Sequence, residues 1–369
     1  MGLSETARTL ANDFSNQETP ATFETPFPAD AWKQLGKAGL LGVSVPHVFG
    51  GGGNPASSLF QAGEALVDGG FSLGMALSWL VHNLTARYVL ADHGGEALRE
   101  ELLGAVAKGA STVAVAVSEP DMHGSPKKLS ATAVEVEGGV EISGQKVYIT
   151  NGPIADWFAV VAVERAEEGR RKRFGAFLVG KDTLGLTVIS MDAGALYPAP
   201  HAQLFLDKCF VPSRYRLPVD GDAFTHLVKP FGTFERVLIL GPTLGAMKRL
   251  VSGLADHLAA KPEISEEAAE KLGQLVLLCE EVDVLGVEAA RVVEEEGGRL
   301  SPLPSCMAAW VACRSFVERY MALIDQSGYG ADLKLSGELH DMDKLCRLAE
   351  SAQRSGFVRL GRNLMGQGA

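Results

Sequence analysis

The spacing of apolar residues predicts a helical region at the start of the chain. Over residues 25–110 apolar positions recur with a period near 3.6, and Trp32, Leu35 and Gly39 form one such helix face. Residues 50–55 read Gly-Gly-Gly-Gly-Asn-Pro, a run that interrupts helices and forms loops. The first region is therefore predicted to consist of helices joined by loops.

The pattern changes at Thr112 to short runs that are typical of strands. Val, Ile, Thr and Phe dominate these runs or alternate with polar residues, and Gly, Asp and Lys stand between them. Because no long helix fits between the runs, they predict a β-barrel or sandwich rather than a parallel sheet. The runs are 112–117, 133–137, 140–144, 158–163, 174–179 and 186–189.

The helical period returns at about His226 and continues to the end of the chain, with breaks at proline and glycine positions. We therefore predict an α+β protein of three domains. An N-terminal helical domain takes residues 1–111, a middle β-barrel or sandwich domain takes 112–222, and a C-terminal bundle of four or five helices takes 223–369.

Composition indicates a folded protein and argues against nucleic acid as a partner. The chain has 369 residues, of which 46% are hydrophobic and 21% charged, which is enough apolar material for a large core. The 34 basic and 45 acidic residues give a net charge of −11, a poor balance for binding a phosphate backbone. We therefore expect no nucleic-acid partner.

The cysteines and the N-terminus favour a cytoplasmic location. The five cysteines show neither CxxC nor paired Cys/His spacing, so neither a disulfide framework nor a metal site is predicted. The N-terminus lacks a basic stretch followed by an apolar core, and we expect no membrane span.

Two segments of the middle region carry the most specific motifs. Residues 118–125 read Ser-Glu-Pro-Asp-Met-His-Gly-Ser, and residues 144–152 read Gly-Gln-Lys-Val-Tyr-Ile-Thr-Asn-Gly. They resemble the β-domain signatures Thr-Glu-Pro-x-x-Gly-Ser-Asp and Lys-x-Trp-Ile-Thr-Asn-Gly of the acyl-CoA dehydrogenase flavoenzymes. Residues 38–46 resemble the family's first-domain pattern, and Phe-Glu-Arg at 234–236 followed by Gly245 resembles its second long signature.

The resemblance covers about residues 25–365 and implies the helix, barrel and helical-bundle fold of that family. It also implies FAD as the cofactor, with Tyr148 in the usual Trp place against the flavin ring and Thr150 near the reactive N5. Val117 and Ser118 are expected at the pyrimidine edge. The full set of implied cofactor-binding residues is Val117, Ser118, Gly124, Ser125, Tyr148, Ile149 and Thr150. Ser125 and Arg236 are implied at the substrate arm.

Removing hydrogen from the α and β carbons of a saturated thioester requires a base for the α-proton. A carboxylate becomes a stronger base in a dry apolar pocket, where its pKa rises. Glu350 stands among small or apolar neighbours, and Lys344 and Gly361-Arg362 place it in the frame where many family members carry the base. We favour Glu350 as the base and keep Glu235 as the alternative.

The sequence thus predicts an FAD-dependent dehydrogenase of an acyl-CoA or acyl-carrier-protein thioester. The expected electron acceptor is an electron-transfer flavoprotein or O2, and the expected assembly is a homo-oligomer, either a dimer or a tetramer. Two alternatives stay open: a flavin-dependent monooxygenase on the same scaffold, and a non-catalytic degenerate member of the family.

Overall fold

The structure is a computed structural model that describes residues 2–14, 21–122, 125–166, 171–300, 303–327 and 333–365. The α-helices of these residues are α1 Leu3–Phe14, α2 Ala29–Lys37, α3 Ala56–Asp68, α4 Leu73–Leu84, α5 Glu96–Ala107, α6 Lys229–Leu238, α7 Leu240–Ala259, α8 Glu266–Glu295, α9 Pro304–Ser327 and α10 Leu333–Leu364. The strands are β1 Val113–Ala116, β2 Thr132–Val136, β3 Gly139–Thr150, β4 Trp157–Arg165, β5 Arg173–Gly180, β6 Leu186–Met191, β7 His201–Pro212 and β8 Arg216–Leu217. The predicted order of helical, β and helical regions is confirmed.

Two compact units are assembled from stretches that are distant in the sequence. The first unit takes Met1–Ala21, Ala56–Ala76 and Arg236–Ala369, and the second takes Thr22–Pro55 and Leu77–Glu235. The predicted boundaries after residues 111 and 222 mark where the hydrophobic pattern changes between helical and strand periods. As domain boundaries they stay a prediction.

The second unit is built on an eight-stranded sheet in the order β6-β7-β3-β2-β4-β5-β8, with β1 beside β4. The pairs β2/β3, β3/β7, β4/β5 and β6/β7 are antiparallel, whereas β1 and β2 meet β4 in parallel. The apolar runs 158–163 in β4 and 174–179 in β5 are buried along their length, whereas residues 186–189 in β6 are half-buried or exposed. β2 alternates instead, with Ala133 buried and Val134 exposed.

The loop around residues 38–46 is fixed to α4 by side-chain hydrogen bonds. Trp79 donates from Nε1 to the carbonyl of Leu40 over 2.6 Å, and Asn83 donates to the same carbonyl over 3.1 Å. The Oδ1 atom of Asn83 accepts from the backbone N–H of Val43 over 3.1 Å. These buried bonds satisfy loop backbone groups that would otherwise lose their water partners.

In the first unit, α7 crosses α3 at very close range. A Cβ at Gly241 would lie 2.1 Å from the carbonyl oxygen of Phe60, and one at Gly245 would lie 2.4 Å from that of Glu64. Gly245, singled out in the sequence as part of a family-like signature, is therefore required by helix packing. Arg249 fixes the same helix pair by donating to the carbonyls of Val67 and Phe71.

A single helical stretch of the described residues, Phe224–Ala259, is long and apolar enough to cross a membrane by length and composition. Its most apolar window is 72% buried inside the protein, which is the pattern of a core helix and only weak evidence for a span.

His82 on α4 is fully buried and packs edge-on against Trp32. Its Nε2 atom lies 3.1 Å from the carbonyl of Val106, so Nε2 carries the hydrogen of the neutral ring. Burial disfavours the charged ring and lowers the pKa of His82 from 6.5 to about 4.

This burial predicts an acid-sensitive contribution to stability. Because the pKa of His82 is lower in the folded state, the unfolded chain binds a proton first as the pH falls. The free energy of unfolding therefore decreases between pH 6.5 and pH 4. The loss reaches about 3 kcal/mol once both states are protonated. Urea denaturation measures the free energy of unfolding of the wild type and of a His82→Gln variant. We expect the difference between the two values to change by about this amount between pH 7.5 and pH 4, in the direction that makes the wild type lose its advantage. Parallel pH dependences for the two proteins would contradict the assignment.

Candidate active site

The two motif segments lie side by side in the second unit. The backbone N–H of Val147 donates to the carbonyl of Ser118 over 2.9 Å, which joins the segment after β1 to the C-terminal part of β3. Lys146 donates from Nζ to the carbonyl of Val117 over 3.1 Å. Both segments were predicted at one site, and within this unit they lie together.

A buried ion pair connects these segments. Nζ of Lys146 lies 2.7 Å from Oε1 of Glu119, and the side chain of Lys146 has no exposed surface. The carboxylate of Glu119 also accepts from the backbone N–H and hydroxyl of Ser130, each over 2.7 Å, and from the N–H of Ala131 over 3.1 Å. The four hydrogen bonds leave the carboxylate fully satisfied although it is buried.

The pKa values of the pair follow from burial and mutual attraction. Burial alone would raise the pKa of Glu119, but the charge of Lys146 and the hydrogen bonds from Lys146 and Ser130 hold it below its ordinary value. Burial lowers the pKa of Lys146, and the attraction to Glu119 opposes this effect only in part. Both residues stand inside the motifs, but neither was predicted from the sequence to form an ion pair.

Tyr148 is presented to solvent by an irregularity in β3. Between Lys146 and Ile149 the register with β7 shifts, so that two residues of β3 oppose one residue of β7, which is a β-bulge. Tyr148 has a φ of 58°, an unusual value for an aromatic residue, and its side chain is 62% exposed. Its backbone N–H contacts Sδ of Met191 over 3.3 Å. The bulge therefore turns an aromatic ring out of the sheet.

Thr150 ends β3 and contacts a histidine of the neighbouring strand. Its hydroxyl oxygen lies 3.2 Å from Nε2 of His201, and Nδ1 of His201 lies 3.0 Å from the carbonyl of Ala199. Burial lowers the pKa of His201, and the hydrogen bond to Ala199 opposes this effect in part. His201 was missed in the sequence because it lies 51 positions from Thr150, outside every motif.

Asn151 and Gly152 fix the end of β3. Asn151 adopts a φ of 65°, donates its backbone N–H to Pro200 and donates from Nδ2 to the carbonyl of Ser78, both over 2.8 Å. A Cβ at Gly152 would come within 2.4 Å of the Cβ of Ala202. The Asn-Gly pair of the motif therefore has a structural role, since it lets the chain turn closely against β7.

The remaining predicted cofactor residues divide by exposure. Ser118 is exposed, and Val117 and Ser125 are half-buried. Ile149 buries its side chain in the sheet core, so a contact with a ligand is left to its backbone. Gly124 lies outside the described residues. The exposed ring of Tyr148 and the hydroxyls of Ser118, Ser125 and Thr150 are the kinds of group that contact a flat heteroaromatic ligand with apolar faces and polar edges.

Helix α6 carries Glu235 and Arg236, both half-buried. The ring of the preceding residue, Phe234, stacks on Tyr88 with centroids 3.7 Å apart, and this contact fixes the rotation of the helix. The carbonyl of Arg236 accepts from Nε1 of Trp310 on α9 over 3.1 Å.

Glu350 lies on α10 in a setting that differs from the sequence expectation. Its side chain is 70% exposed, and Oε2 accepts from Arg314 on α9 over 2.8 Å. Leu348 is exposed as well, whereas Cys346 and Ala349 face the bundle interior. The predicted dry apolar surroundings of Glu350 are therefore wrong, because its sequence neighbours do not share its helix face.

Comparison with known proteins identifies similar sequences and folds. Residues 2–110 match the acyl-CoA dehydrogenase N-terminal domain, and residues 114–209 match the acyl-CoA dehydrogenase middle domain. Benzylmalonyl-CoA dehydrogenase of Aromatoleum aromaticum is 31% identical over 205 residues, 55% of this chain and 53% of that protein. The match thus spans about half the length of that relative.

Two further similarities extend over more of the chain. L-prolyl-(peptidyl-carrier protein) dehydrogenase of Pseudomonas fluorescens is 26% identical over 267 residues, 70% of each chain. A crystal structure described as an FAD-dependent dehydrogenase superposes with a TM-score of 0.81 at 20% identity, covering 100% of this chain and 98% of the other. At this identity the superposition establishes the fold.

Breaking the buried ion pair from one side should destabilise the protein strongly. A Lys146→Met variant leaves the carboxylate of Glu119 buried without its counterion, so we expect a loss of about 3–5 kcal/mol in the free energy of unfolding at pH 7.5. The loss should shrink toward pH 5, because the unpaired carboxylate becomes easier to protonate. Urea denaturation measures both effects.

The matched control is Lys181→Met, which removes a lysine that pairs with Asp156 over 2.8 Å with its side chain 54% exposed. Because water screens this pair, the control should change stability little. Equal losses in the two variants would show that burial of Lys146 is not the source of the effect.

Proposed function

Because this chain belongs to the acyl-CoA dehydrogenase family, we propose that it is an FAD-dependent enzyme that oxidises the bond between the α and β carbons of an acyl thioester. The observation that carries the proposal is the pair of motif segments joined by Lys146 and Glu119, which present Tyr148 and Thr150 at the C-terminal end of β3. An exposed aromatic ring and hydroxyl groups carried by the same two segments would supply contacts to the face and polar edge of a flavin.

FAD when bound supplies the hydride acceptor that amino-acid side chains lack. The ring of Tyr148 would cover part of its ring system, and the hydroxyls of Ser118 and Thr150 would bond to its polar edge. Ser125 and Arg236 are proposed at the thioester arm. The buried ion pair holds the segment after β1 against β3, which fixes the backbone that carries Ser118 and Tyr148.

The reaction also needs a base that accepts the α-proton of the substrate. We propose Glu235 as this base, ahead of Glu350. The carboxylate of Glu350 is exposed to water and paired with Arg314, so it does not lie in the dry pocket expected around the base. Glu235 is half-buried and stands beside Phe234, whose stacking on Tyr88 fixes the helix. This order reverses the preference that the sequence alone suggested.

For the acyl carrier, the electron acceptor and the assembly we propose two candidates each. The relatives named above act on a CoA thioester and on a carrier-protein thioester, so both carriers are candidates. We propose an electron-transfer flavoprotein or O2 as the acceptor, and a cytoplasmic location. Exposed apolar side chains on α8, including Val276, Leu277 and Val284, support a homo-oligomer, either a dimer or a tetramer.

The visible spectrum of the purified protein tests the proposed chemistry. We expect a yellow protein, or a colourless one that turns yellow and gains thermal stability when FAD is added. Under anaerobic conditions an acyl-CoA or acyl-carrier-protein thioester should bleach the flavin absorbance, because two hydrogens leave the substrate. A folded protein that FAD does not stabilise would contradict the proposal and favour a non-catalytic role. Bleaching only by an added reductant, followed by oxygen-dependent hydroxylation, would favour a monooxygenase.

Two matched variants test the base. Glu235→Gln should slow flavin reduction by the thioester about 10²–10⁴-fold, because the amide cannot accept the α-proton, while FAD stays bound. Glu350→Gln removes only a solvent-exposed carboxylate and should reduce its flavin at close to the normal rate. Stopped-flow absorbance measures both rates. The opposite pattern would assign the base to Glu350, and two fully active variants would exclude both residues.

A further inference from the structure

His201 has two hydrogen-bond partners whose chemistry fixes where its hydrogen lies. Nδ1 faces the carbonyl of Ala199 over 3.0 Å, and a carbonyl oxygen can only accept, so Nδ1 carries the hydrogen. Burial lowers the pKa of His201, so the ring is neutral at pH 7 and Nε2 has a lone pair. Nε2 must therefore accept from the hydroxyl of Thr150, 3.2 Å away.

This geometry determines what Thr150 can offer to a ligand. A hydroxyl group has one hydrogen and two lone pairs, and the hydrogen of Thr150 is directed to His201. The lone pairs of its oxygen remain for a partner outside the sheet. Thr150 therefore presents an acceptor, whereas a threonine without such a neighbour rotates its hydroxyl to act as donor or acceptor.

The surroundings keep His201 in this state. In the strand ladder β7 lies between β3 and β6, and the residues opposite His201 are Thr150 on one side and Met191 on the other, both uncharged. The side chain of His201 is buried, so water does not compete for Nε2.

We propose that His201 is a positioning residue that makes Thr150 a hydrogen-bond acceptor toward bound flavin and thereby favours the reduced cofactor. The inference rests on the proposed function, which places Thr150 at N5. N5 of oxidised flavin has a lone pair and needs a donor, whereas N5 of reduced flavin carries a hydrogen and needs an acceptor. An acceptor at Thr150 binds the reduced form more tightly, so it raises the midpoint potential and favours hydride transfer from the substrate.

We expect a definite order of midpoint potentials among four proteins: the wild type, two single variants and the double variant. Thr150→Val removes the acceptor and should lower the potential of bound FAD. His201→Phe should lower it further, because the freed hydroxyl of Thr150 can then donate to the oxidised form. The double variant should match Thr150→Val, since His201 acts only through the hydroxyl. Equilibrium reduction against a dye of known potential measures all four.

We expect each step to change the ratio of affinities for oxidised and reduced FAD about five- to tenfold, where tenfold equals about 30 mV for a two-electron couple. A His201→Phe potential equal to or above the wild type would overturn the proposal. A double variant well below Thr150→Val would also overturn it, because His201 would then act on the flavin by another route.

A second measurement tests the hydrogen-bond direction without FAD. In apoprotein labelled with 15N-histidine, the signals lost in His201→Phe identify His201, and their shifts should report hydrogen on Nδ1 and none on Nε2. Hydrogen on Nε2 overturns the proposal whatever the flavin does. If the predicted tautomer is found but FAD does not bind, the proposed function fails, and the role of His201 toward flavin fails with it.

Discussion

Lys146 is a charged side chain with no contact to water, and the placement of the candidate site depends on how that charge is satisfied. Glu119 supplies the counterion, and the carbonyl of Val117 accepts a further hydrogen bond. An unpaired charge at this depth would cost several kcal/mol, so the segment after β1 and the end of β3 are stable only side by side. The exposed hydroxyl of Ser118 and ring of Tyr148 take their positions from that constraint.

The bulge at Tyr148 shows how the same strand serves both the core and the site. Lys146 and Ile149 point into the protein on either side of it, whereas Tyr148 is turned outward with a positive φ. A non-glycine residue in this conformation costs of order 1–3 kcal/mol, and it persists because the flanking side chains are fixed by burial. Strain at an exposed aromatic residue has no benefit for packing. It therefore supports the ligand-binding role proposed for Tyr148.

Features that depend on consecutive residues were predicted from the sequence. Features that depend on the pairing of distant strands, or on which residues share a helix face, were not. The strand runs and motif segments were read correctly, because alternation and turn residues are properties of consecutive positions. His201 was beyond reach, since its pairing with Thr150 follows from the register of β3 and β7. The dry surroundings predicted for Glu350 were wrong, because its neighbours in sequence lie on other faces of α10, and on a helix the residues three or four positions away lie beside a side chain.

Two buried residues therefore control different properties of the candidate site. Lys146 fixes where the backbone lies, and its effect is felt in stability. His201 fixes which way one hydroxyl hydrogen points at Thr150, and this choice adds no new contact outside the sheet. A site built on paired strands suits such control, because a donor or acceptor that is set by a buried neighbour does not reorganise when a ligand arrives. Whether the hydroxyl of Thr150 donates or accepts a hydrogen bond is in this way determined by the buried side chain of His201.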